Sequence, residues 1–120
     1  MAKIVDDSVL DGAFNVLNDA TREVVCSGQP ANFAGIAAVT LATVTTAPGD
    51  FTIANGDVSG RKCTVAAKNG LTVSSSGTAT HVSLDNGSTL LYVTTCTSQA
   101  LTSGNTVNVP SWKVEIADPT

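Results

Sequence analysis

His81 is the chain's one histidine, standing between Thr80 and Val82 in an alternating run. Acid–base or nucleophilic work needs a second group within hydrogen-bond reach. No serine lies in a Gly-x-Ser-x-Gly elbow, and no cysteine is spaced from His81 as a thiol nucleophile requires. His81 therefore reads as a surface or hydrogen-bonding residue. Cys26, Cys63 and Cys96 are far apart and form no Cys-x-x-Cys or Cys/His pattern, so no zinc site is expected. Their odd number forbids complete pairing within one chain. They read as reduced, buried thiols acting as small hydrophobes. The sharper alternative is a disulfide or crosslink, within or between subunits, formed in an oxidising medium.

The acids offer no better centre. Asp6, Asp7, Asp11, Asp50, Asp57 and Asp85 lie in the lead-in to a helix or in turns, where a converging carboxylate pair is not expected. Asp85-Asn86-Gly87 resembles a fragment of a calcium loop without the remaining oxygen ligands, and turn chemistry explains it. Gly56 to Gly60 lacks the lysine and following helix of a phosphate loop. With three Phe, one Tyr and one Trp, a stacking platform for sugars or bases is poorly supplied. Trp112 alternates with Val114 and Ile116 and reads as a core or interface anchor. No catalytic residue, cofactor or metal is expected.

The elements that must position these residues are mainly strands. The chain has 120 residues, enough for a single domain, 1–120, with one core. Val9, Leu10, Ala13, Phe14 and Leu17 recur at helical spacing, so residues 7–18 form an amphipathic helix capped by Asp6, Asp7 or Ser8. Its stripe, notably Val9, Leu10, Phe14 and Leu17, lies on the domain's own sheet or docks on a partner. Residues 22–116 read as an antiparallel β-domain. Arg22 to Ser27 is a strand with Val24 and Cys26 on one face and Val25 on the other. Phe33 onward reads as a loop, then a strand from about Val39 to Thr45. Pro48-Gly49-Asp50 turns the chain into Phe51-Thr52-Ile53.

Arg61 to Lys68 reads as one alternating strand, and Asn69-Gly70 as a two-residue hairpin turn. Thr78 to Leu84 follows. Thr89 to Thr95 is the most apolar run and is expected at the centre of a sheet, with Leu90 and Tyr92 on one face and Leu91 and Val93 on the other. Thr106 to Val109 and Trp112 to Ile116 finish the domain, with a bend or edge at Pro110. Short strands between polar turns predict a mainly β fold: an antiparallel sandwich or barrel-like domain with one N-terminal helix.

Composition excludes some partners. The net charge is −4, and of the six basic residues only Arg61 and Lys62 adjoin, so no nucleic acid is expected. Charged residues make up 13%, about half the usual share. So few charges suit a surface that neighbours cover, or simply a neutral, Thr-rich sheet. No apolar run is long enough to span a bilayer, and residues 1–7 lack the apolar core of a secretory signal. The expectation is a protein made and kept in a cytoplasm, or released by lysis.

Four segments carry a resemblance: Arg22 to Pro30 (REVVCSGQP), Gly77 to Asp85 (GTATHVSLD), Leu90 to Cys96 (LLYVTTC) and Gly104 to Ile116 (GNTVNVPSWKVEI). With the helix and the length, they resemble a group of small structural proteins of tailed bacteriophages and prophages. These are sheet and turn signatures, and they bring no site residues with them. The resemblance implies a virion protein assembled in the host cytoplasm. Its implied partners are the major capsid protein or other virion proteins, and further copies of itself. A capsid decoration, cement or linking protein fits best, since it stabilises the head by binding the mature lattice at capsid-protein junctions. A neck, collar, tail or fibre component is the alternative. A carbohydrate- or cell-surface-binding module is a third reading, and it needs Trp112, Tyr92 and His81 exposed together.

Overall fold

A computed structural model describes residues 4–119. The first element is the expected helix, α1 (Asp7–Leu17). Asp6, in extended conformation, caps it by accepting from the Ser8 amide at 3.0 Å. Phe14 and Leu17 are buried against the chain's own β-domain, while Val9 is 66% exposed. Arg61 fixes the same docking from the outside, reaching both oxygens of Asp11 at 2.8 and 3.2 Å. The helix therefore packs within its own chain. Of the four candidate docking residues, Phe14 and Leu17 are taken up by the chain's own core, whereas Val9 stays exposed and Leu10 half-buried.

Strand β1 (Arg22–Cys26) is followed by a 3₁₀ turn at Phe33–Gly35, a single turn α2 (Ile36–Val39) and β2 (Thr40–Thr45). The expected loop is thus partly helical. Asn32 caps the Gly35 amide at 2.9 Å, and Ile36 buries itself on Val24 and Cys26. A 3₁₀ turn at Pro48–Asp50 leads to β3 (Phe51–Asn55) and then β4 (Arg61–Val65). The run from Arg61 does not continue to Lys68, because the chain steps to another sheet at Ala66 and Ala67 before β5 (Lys68–Thr72).

Asn69-Gly70 makes no hairpin. It lies inside β5 at a register shift opposite β8, where Gly70 takes φ +71° and its amide donates to Asn108 Oδ1 at 2.8 Å. A type I′ turn needs positive φ at both positions, and Asn69 does not adopt it. The pair instead supplies the left-handed residue of a bulge.

The remaining strands are β6 (Gly77–Asp85), β7 (Leu90–Leu101), β8 (Thr106–Val109) and β9 (Trp112–Ile116). They assemble as three antiparallel sheets with orders β2-β1-β6-β7, β3-β4-β9 and β5-β8. The four-stranded sheet forms one layer. The β5-β8 sheet is joined to it at the Ala42–Val73 bridge, and the β3-β4-β9 sheet packs with its Leu84 in a shared core cluster. The fold is mainly β and sandwich-like, as the strand pattern predicts.

Two larger clusters fill the interior beside the small one of Val24, Cys26 and Ile36. Val25, Leu41, Val73, Val82 and Val107 centre the first, and Phe14, Phe51, Cys63, Val65 and Leu84 the second. Alternation places Trp112, Val114 and Ile116 together on the second, as expected. The run from Leu90, by contrast, is not central: β7 is an edge strand. Its Leu91 also leaves the simple alternation. Leu84 pairs with Tyr92 and Asp85 with Leu90, so Leu91 is the extra residue of a bulge and packs beside Tyr92.

Candidate functional site

A cleft opens where the two layers fail to meet along β7. Val25, Val82 and Cys96 line one side, and Val107, Val109 and Pro110 the other. The hollow holds about 230 Å³ and continues past Trp112 and Lys113 into a second of about 300 Å³. Val82, Cys96, Thr97, Val109 and Pro110 belong to both, so the two form one groove. Pro110 explains the opening. It donates nothing to a ladder, and the chain passes there from the β5-β8 sheet to the β3-β4-β9 sheet. Ser111 completes the step by donating to the Val65 carbonyl at 3.0 Å.

The strand bordering this cleft is unusual for an edge. β7 runs twelve residues without one charged side chain or proline. Exposed edges are ordinarily blunted by lysine, proline or brevity. β7 carries only bulges, opposite Ala79–His81 and Leu84–Asp85. Among the described residues its outward backbone groups face no strand, and the groove beside them is apolar. Lys113 is the one charged residue at the rim, and it pairs with Asp57 and Glu115.

The structure does not assemble the residues a sugar-binding reading requires. Tyr92 and Trp112 stack with ring centroids 5.9 Å apart. The Trp112 indole is tied inward, its Nε1 donating to Glu23 Oε1 at 2.9 Å. His81 pairs with Cys26 and Thr95, and Tyr92 with Leu84, an odd number of residues along β6, so His81 points to the opposite face. There its Nδ1 lies 2.8 Å from Thr80 Oγ1. It has no acid or thiol partner among its hydrogen bonds.

The cysteines separate by burial. All three thiols are free. Cys26 and Cys63 are wholly enclosed, and burial pushes both thiols up from the ordinary range. Cys96 is partly exposed in the cleft, with its thiol also pushed up by burial. Of the three crosslinking candidates, only Cys96 is accessible in the folded chain. Among the described residues no three or more His, Cys, Asp or Glu side chains gather to hold a metal ion. Asp85 is used structurally, accepting from Arg22 Nε at 2.9 Å and from the Gly87 amide at 3.0 Å.

Sequence reasoning missed Glu23. It is 0% exposed on the inner face of β1, flanked by Val44 and Leu84. Oε1 holds the Trp112 bond, whereas Oε2 is buried without a partner. Burial pushes its carboxyl up from the ordinary range, against the pull of Trp112 and Lys68. The signal was present: Val24, Val25 and Cys26 need cover on both faces, which makes β1 central and Glu23 interior. No protein-family model matches the chain, and no curated protein or solved structure does so.

Proposed function

We propose that this chain is a non-enzymatic structural protein of a tailed-phage virion, a decoration or cement protein that stabilises the head. It docks by presenting the β7 edge and its cleft to an extended segment of the neighbouring major capsid protein. The observation that carries this reading is the uncharged twelve-residue edge beside an apolar groove. Unpaired backbone donors and acceptors ask for an extended chain, and alternate side chains of that chain would enter the groove. The resemblance to small virion proteins supplies the context. Binding the assembled lattice and not its unfolded parts stabilises the shell by mass action.

Quantitation of purified particles tests the proposal. A copy number matching that of the major capsid protein, or a simple fraction of it, is expected. A few copies per particle, as in a neck or tail ring, would overturn it.

A further inference from the structure

Glu23, Leu84 and Tyr92 form one rung across the four-stranded sheet, since Leu84 pairs with both of the others. Trp112 of β9 spans this rung. At one end its Nε1 donates to Glu23 Oε1 at 2.9 Å, and at the other its ring stacks on Tyr92 with centroids 5.9 Å apart. The next rung with side chains on the same face is Val25, Val82 and Thr94. Val82 and Thr94 line the groove together with Trp112. The indole is therefore a wall of the groove and, at the same time, the hydrogen-bond donor to a buried acid.

That acid is only half satisfied, because Oε2 is buried without a partner. A neutral carboxyl tolerates this, whereas a buried carboxylate needs further donors. The surrounding elements supply none. Val44 and Leu84, its neighbours on β2 and β6, are apolar. Phe14 and Leu17 of α1 and Cys63 of β4 share the cluster on which Trp112 packs, and burial pushes the Cys63 thiol up, which keeps it neutral. Asp11 of α1 is held by Arg61, and Lys113 beside Trp112 pairs with Asp57 and Glu115. Lys68 and Asp50 act on the Glu23 carboxyl in opposite directions and are bound to each other at 2.9 Å. Water is the remaining source of donors, and Trp112 borders both the carboxyl and the groove.

We propose that ionisation of Glu23 opens the β7 cleft, with Trp112 as the moving wall. As a control on docking, this rests on the reading of the cleft as the docking site. The neutral acid keeps the indole seated between Glu23 and Tyr92. The carboxylate draws water from the groove to Oε2, which displaces the indole and loosens its stack on β7. A guest strand then meets a preformed wall at lower pH and a wet, loosened one at higher pH, so docking weakens as the pH rises. The Trp112 bond favours the carboxylate, but burial outweighs it, so the change falls above the range of exposed glutamates.

Trp112 is the chain's one tryptophan, so the emission of the isolated protein reports on this wall alone. From about pH 4 to about pH 8, upward from the ordinary glutamate value, the emission should move to longer wavelength. Quenching by acrylamide should rise at least twofold over the same span. Glu23→Gln keeps an acceptor without the charge and should hold the acidic position throughout, with folding checked by circular dichroism. Cys96 lines the same groove. Its rate of alkylation by iodoacetamide in the wild type, divided by that in Glu23→Gln, cancels the thiol's own titration and should rise at least twofold with pH. A flat wild-type emission, or a shift that survives in Glu23→Gln, overturns the proposal. A constant rate ratio overturns the link to the cleft. Binding to head particles lacking this chain, measured at the same pH values, should weaken with pH in the wild type and not in Glu23→Gln. Binding that ignores pH in both overturns the control of docking. No binding at any pH, with the emission shift intact, overturns the docking reading and leaves the moving wall in place.

Discussion

The indole Nε1 of Trp112 donates to Oε1 of Glu23 over 2.9 Å, and this bond joins the last strand to the first across the interior. Trp112 also packs on both core clusters. Trp112→Phe keeps most of the packing and removes the donor, leaving both Glu23 oxygens buried without a partner. The expected cost is about 1–3 kcal/mol, the penalty for an unsatisfied buried polar group. Urea denaturation of the two proteins measures it. A Glu23→Leu change made together with Trp112→Phe should cost less than the two changes summed.

Burial raises the Glu23 carboxyl, which fixes the direction of its pH dependence. Below the unfolded value, about 4.3 for glutamate, its contribution is fully present. It is lost as pH rises through the higher folded value, because the unfolded chain releases that proton more readily. Glu23→Gln cannot ionise and should escape this loss. The stability advantage of Gln over Glu should grow from acidic to neutral pH. Parallel curves over that range would contradict the assignment.

Gly60 and Gly70 share a positive φ, of +69° and +71°, but differ in surroundings. A Cβ on Gly60 would sit 1.9 Å from the Ile116 carbonyl oxygen, whereas Gly70 opens into free space. Gly70→Ala should cost about 1–2 kcal/mol, the price of the left-handed conformation. Gly60→Ala adds a backbone clash and should be the more damaging, lowering the melting temperature further. Equal shifts would show that the Gly60 turn relaxes freely.

Cys96 is the one thiol partly open to solvent, so a thiol reagent should modify one site in the native protein and three after unfolding. One accessible thiol makes one bond to a neighbour. Non-reducing gels should therefore show monomer and at most dimer, and Cys96→Ser should remove the dimer. Bands above dimer from native particles would contradict this.

The sequence made α1 and β9 legible, because each has a periodicity that its burial later obeys. Phe14 and Leu17 fall on the stripe, and Trp112, Val114 and Ile116 on one strand face. Position within a sheet was not legible. Leu90 to Val93 is apolar enough for a central strand, yet it gains its cover from α2, from Tyr92–Trp112 stacking and from a bulge, all long-range. Asn69-Gly70 misled for a related reason: the dipeptide signals positive φ, and its neighbours across the sheet decide whether that makes a turn or a bulge. The cleft was invisible for the same cause, since Val82 and Val109 read as ordinary core residues. Only Pro110 marked its rim.

A symmetry-resolved image of the assembled particle tests the central claim most directly. The chain should sit on the head lattice, with an extended segment of the capsid protein paired to β7 and its side chains in the cleft. Thr97→Lys, exposed at the cleft mouth, should leave the isolated fold intact and remove the chain from particles. Density confined to the tail axis, or a β7 edge facing solvent in every copy, would contradict the account.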